Sequence, residues 1–181
     1  MHRFPLLAGF ALAAMTVAAG SIALAAPPVS ALKGHNSNAP VDISSARIEV
    51  QDRADRAVFA GNVIARQEEL TLTTDRLTVA YSNNDMGVQI QRLDAAGGVS
   101  IRSPSETARG NFGVYDLQRK VITLVGDVVL NRQGNNVSGE RLTLDLDTGR
   151  AVLDGGPRGV DQNSGGRVTG HFTVPQKSPS R

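Results

Sequence analysis

The side chains best suited to chemistry are few and far apart. Beyond the first apolar run stand only two histidines, His35 and His171. A histidine works as acid, base or metal ligand only with partners beside it. His35 lies in a Pro- and Asn-rich stretch and His171 at an outward strand position, so both read as solvent-facing. Asp145 and Asp147 form a D-x-D pair suited to a hard cation, but calcium takes about six to eight oxygens, and this pair points to solvent beside a turn. Gly97-Gly98 and Gly155-Gly156 could cradle a phosphate if a helix followed, and none is predicted there. No serine sits in a G-x-S-x-G elbow, and the absence of cysteine excludes disulfides and thiolate sites. These residues predict no active site, no cofactor and no metal: a protein that is not an enzyme and acts by binding.

What it binds is bounded by composition. The chain of 181 residues suits one domain, and its formal charge of +2 is spread over scattered residues of both signs. With no basic stripe, two tyrosines and five phenylalanines, the sequence predicts no nucleic-acid partner. Residues 1–25 read as a signal peptide: Arg3, an apolar run from Leu6 to Leu24, then Ala23-Leu24-Ala25 as the cleavage site. Residues 26–40 read as a flexible lead-in and residues 176–181 as a disordered tail. The domain proper is expected over 41–175.

Within that domain a glycine recurs inside apolar alternations. Gly61-Asn62-Val63 returns as Gly97-Gly98-Val99 and Gly126-Asp127-Val128, with a decayed copy at Gly156-Pro157-Arg158. A second landmark follows after 13 or 14 residues: Asp75-Arg76-Leu77-Thr78-Val79, Gly110-Asn111-Phe112-Gly113-Val114, Glu140-Arg141-Leu142-Thr143-Leu144 and Gly170-His171-Phe172-Thr173-Val174. Ala46-Arg47-Ile48-Glu49-Val50 fits the same slot upstream. Units of roughly 30 residues are thus stacked along the chain. Inside each, apolar residues alternate with period 2 and helical spacing is absent, so the units are strands with one inward face. The glycine occupies an inward position, where a bend, a bulge or a close approach needs it. Leu70 and Leu72 are out of phase with Leu77, which places a second irregularity near Thr73 to Asp75. Turns are expected at Ser82–Asp85, Gln133–Asn136 and Asp147–Gly149.

The pair "FAGNV" and "LTLTTDRLTVAY", followed by "ITLVGDVVL" and "SGERLTLDLDTGRAVLDGG", resembles the OstA-like family over about residues 41–174. The resemblance implies an all-β fold, a β-jellyroll of strand repeats with open edge strands at both ends. It implies a periplasmic protein whose apolar slot takes the lipid A acyl chains of lipopolysaccharide. The slot would be lined by Phe59, Val63, Leu77, Val79, Val99, Ile101, Phe112, Val114, Leu124, Val128, Leu130, Leu142 and Leu144. It further implies end-to-end self-association and bridging from an LptC-like inner-membrane component to an LptD-like outer-membrane translocon. The docking edges would lie around Ile43, Ile48 and Val50 at one end and Val168, Phe172 and Val174 at the other. Two alternatives remain open on the residues: a scaffold or filament protein with a closed core, and an LptC-like component anchored by an uncleaved amino terminus.

Overall fold

The structure is a computed structural model that describes residues 32–85, 87–156 and 166–173. The expected signal peptide (1–25), the carboxy-terminal tail (176–181), Val174 and the decayed Pro157-Arg158 lie outside the described residues.

Among the described residues ten strands form one antiparallel sheet. They are β1 (Asp42–Ser44), β2 (Arg47–Gln51), β3 (Arg56–Gln67), β4 (Leu70–Asn84), β5 (Gly87–Arg102), β6 (Glu106–Asp116), β7 (Val121–Arg132), β8 (Asn135–Asp145), β9 (Arg150–Asp154) and β10 (Thr169–His171). The long strands β3 to β8 follow one another as a meander. Each edge is made of two short strands in line: β1 and β2 both pair β3, and β10 and β9 both pair β8. Residues Ser82–Asn84, expected as a turn, extend β4, because Asn83 and Asn84 find ladder partners in Val88 and Gly87. The β7–β8 connection is the two-residue hairpin Gln133-Gly134, both with positive φ, as the right-handed twist of the flanking strands requires.

The recurring glycines are bulges. Gly61-Asn62, Gly97-Gly98 and Gly126-Asp127 all have positive φ, and each pair stands opposite a single residue of a neighbouring strand. The irregularities lie side by side across the sheet. A Cβ on Gly61 would meet that of Ala46 at 2.9 Å, one on Gly97 would meet Asp75 at 2.9 Å, and one on Gly126 would meet Asn111 at 2.8 Å. The second landmark is therefore Asp75, Asn111 and Glu140, a constant fourteen residues after the glycine of its unit.

Along this row the sheet turns over on its apolar face. On one limb a register row runs through Ile43, Ala65, Leu72, Ile101, Ala108, Leu130 and Val137. On the other limb a row runs through Ile48, Phe59, Leu77, Ala95, Gly113, Leu124, Leu142 and Leu153. Buried members of both rows belong to one hydrophobic cluster. The limbs also meet through polar groups: the Tyr115 hydroxyl near the end of β6 donates to Gln67 Oε1 at the end of β3, 3.0 Å away.

Residues 32–40, expected as part of a flexible lead-in, pack as turns against this junction. Leu32 and Ser37 are buried. Leu32 offers the core an apolar side chain, and the backbone that follows finds hydrogen-bond partners on both limbs.

Candidate binding slot

Eleven of the thirteen residues predicted for the slot lie on the inward face. Val63, Leu77, Val79, Val99, Ile101, Leu124, Val128, Leu130, Leu142 and Leu144 are buried, and Phe59 packs against them partly exposed. Burying such a side chain contributes about 1.5–3 kcal/mol relative to leaving it in water. The remaining two are corrected. Phe112 and Val114 point outward, with Phe112 58% exposed. β6 changes phase at Asn111 as β4 does at Asp75, so its inward residues beyond that point are Gly113 and Tyr115. A one-residue slip in aligning the landmark exchanges the two faces.

Several inward residues were missed in the sequence. Leu72, Leu93, Ala108 and Ile122 are all buried. Period 2 carried from Leu124 back to Ile122, and from Val79 across the ladder to Leu93, is the signal that would have found them. Gly113 lets the neighbouring side chains close in on the backbone of the inward face. A Cβ there would come within 2.9 Å of Leu124 Cδ2 and 3.0 Å of Val99 Cγ1.

The polar groups of the site collect where the limbs meet. Tyr115 hydrogen-bonds Ser37 Oγ at 2.9 Å as well as Gln67. Burial pushes its hydroxyl pKa up, and the Ser37 contact opposes this in part. Gln67 Nε2 donates to the carbonyls of Ser37 and Ala39, and His35 Nε2 lies 3.0 Å from Gln67 Oε1. His35, expected at the surface, thus has a side chain only 5% exposed. At the start of β6, Glu106 accepts from Arg132 Nε and Nη2 at 2.8 and 2.6 Å, both side chains being largely buried. His171 is on the outward face and exposed. The D-x-D pair serves a turn: Asp145 accepts from the Thr148 amide, which holds its carboxyl below the usual range, and Asp147 pairs with Lys120.

At both sheet edges the inward face is uncovered. Ile48 and Val50 on β2 are 55% and 57% exposed. Val168 and Phe172, flanking β10, continue the parity of Gly170, which pairs inward Val137, and are also exposed. Ile43 on β1 packs partly buried against the core.

A single sheet folded over an apolar face, with split edge strands at each end, is a jellyroll of the kind found among lipopolysaccharide-transport proteins. Over residues 42–150, more than half of its length, the sequence matches the model of the LptA/(LptD N-terminal domain) LPS transport protein family, and the chain belongs to that family. It is similar to the uncharacterized protein R00383 of Rhizobium meliloti, with 32% identity over 142 residues, 74% of this chain and 76% of the relative. It is 23% identical over 133 residues to the lipopolysaccharide export system protein LptA of Escherichia coli K12, covering 70% of each chain. The crystal structure of LptH, the LptA homologue of Pseudomonas aeruginosa, shares the fold with a TM-score of 0.66 at 18% identity, over 77% of this chain and 99% of that one.

Proposed function

We propose that this protein carries lipopolysaccharide through the periplasm by sheltering its lipid A acyl chains on the inward face of the folded sheet. The observation that carries this reading is the apolar face that runs from strand to strand and ends uncovered at both edges, in a member of a lipopolysaccharide-transport family. Each methylene withdrawn from water contributes about 0.8 kcal/mol, so an acylated lipid needs continuous cover along its route. Valine and leucine contacts are non-directional, which permits movement along the face without deep minima. The protein contributes shelter and position, with no chemical step.

The edges supply the route. From β2 through the meander to β9 the sheet is eight strands wide, an even number, so its two edges run in opposite directions. A second copy joined head to tail then meets β9 and β10 with its own β1 and β2 antiparallel, by backbone hydrogen bonds along edges that pair with no further strand among the described residues. The same addition at the terminal copies would join an LptC-like inner-membrane component and an LptD-like translocon.

The closed-core scaffold is the second reading, and it draws on the complete burial of Leu77, Leu124 and Leu142. Photocrosslinking groups at Leu124 and Val128, with outward Phe112 and Thr143 as controls, separate the two. Lipopolysaccharide labelled from the inward pair alone supports carriage; labelling from none of the four in folded protein assigns the face to a closed core.

A further inference from the structure

Residues 32–40 form no strand, yet they are bonded to both limbs of the sheet. On one limb, the Gly34 amide donates to the carbonyl of Leu146 just beyond β8, at 2.8 Å. On the other, Gln67 at the end of β3 holds the carbonyls of Ser37 and Ala39 at 3.1 and 2.8 Å. Tyr115 closes the triangle by contacting Ser37 and Gln67 together. Leu32 anchors the start of the segment in the apolar cluster. The segment is therefore a strap across the free ends of the two limbs, opposite the row of bulges about which they fold.

Two further observations give the strap a role. Leu77, Leu124, Leu142 and Val128 are completely buried against their neighbours, so an acyl chain reaches them only if the limbs part. Beside the strap is a cavity of about 500 Å³ with Ser37–Val41 on one wall and Val88–Gln91 with Leu117 and Gln118 on the other. Its lining has no charged side chain: Val41, Ile90 and Leu117 offer apolar surface, and the glutamines offer neutral amides. Such a site accepts an uncharged acyl chain with its amide or ester linkage and excludes a phosphate, which would lose its water without a cation to replace it.

We propose that residues 32–40 are the latch of the slot, and that acyl chains enter sideways, through the cavity beside the strap, when it lets go. The proposal rests on the lipid-carriage reading and adds where and how loading occurs. The strap's attachment is mostly polar and local, whereas the strands it closes share a continuous apolar core; opening the strap alone costs less than opening the sheet.

The chain has no cysteine, so an introduced pair is unambiguous. Lys33→Cys and Asp147→Cys flank the Gly34–Leu146 bond at exposed positions and can be joined by a short reducible bis-thiosulfonate linker. With the linker in place, lipopolysaccharide uptake by the full chain should slow by about tenfold or more, because the open state is withdrawn from the population, and reductant should restore it. Equal uptake with the linker closed and cleaved overturns the latch. A lipid-free measurement tests the same opening: hydrogen exchange at the Gly34 amide should run about a hundredfold faster than in central β7, as a local opening does. Exchange of Gly34 together with the core makes the strap a fixed part of the fold and overturns the proposal by itself. If Gly34 exchanges early but the cleaved protein takes up no lipopolysaccharide, the carriage reading fails, and the loading role with it.

Discussion

Replacing Phe112 by alanine measures which face of β6 meets the core. An inward phenylalanine in this fold would lose about 3–5 kcal/mol on truncation. Phe112 is 58% exposed on the outward face, so the expected loss is within about 0.5 kcal/mol, the range of a surface substitution. The inward neighbour gives the complementary result. Gly113→Ala places a methyl 2.9 Å from Leu124 Cδ2 and 3.0 Å from Val99 Cγ1, and its backbone φ is not positive, so the whole cost is overpacking, about 1–3 kcal/mol. Leu124 is fully buried, and Leu124→Ala alone should cost about 2–5 kcal/mol. In the double variant the clash with Cδ2 is gone and the new methyl fills part of the space left behind. The Val99 contact persists, so relief is incomplete, and the double variant should fall short of the sum by about 1–2 kcal/mol. Urea unfolding followed by far-ultraviolet circular dichroism gives each term from midpoints at a common slope. A loss above about 3 kcal/mol for Phe112→Ala, or additivity within about 0.5 kcal/mol in the cycle, refutes the assignment of faces.

The adjacent bulge glycines separate in the same assay. Gly97→Asn should cost about 2 kcal/mol or more, since a Cβ there has positive φ and meets Asp75 at 2.9 Å, whereas Gly98→Asn has open space and a conformation that asparagine tolerates, as Asn62 does, and should be neutral or stabilising by about 0.5 kcal/mol. Asp145 gives an acid-limb prediction. Its native carboxyl is held below the ordinary value of 3.8 by the Thr148 amide, so the unfolded chain binds the proton more readily and this contribution is lost as pH falls below 3.8 through the native value; Asp145→Asn should flatten that part of the stability profile in acid titrations of the unfolding midpoint.

Much of the fold was legible because it is local. Alternation of apolar residues in β4, β5 and β7 states which side chains share a face, and Gly61, Gly97 and Gly126 announce bulges because positive φ in a strand favours a residue without a Cβ. The slip at β6 shows where that legibility ends. Phe112 and Val114 alternate as well as Gly113 and Tyr115 do, and the ladder opposite decides between them: Ala95 and Leu124 stand across from Gly113, and Leu124 with Val99 fills the space that a side chain there would need.

The same division holds for the site. By itself the sequence determined that the chain is a stack of strands with one apolar face, since periodicity is a property of the chain alone. Folding of the sheet about its row of bulges, the meeting of Tyr115 with Gln67, and the recruitment of Leu32–Pro40 as a strap were decided only by tertiary structure. The strap and Tyr115 contacts join residues 28 to 112 positions apart and follow no period, and the polar, proline-bounded strap has the composition of a linker until both limbs offer it hydrogen-bond partners.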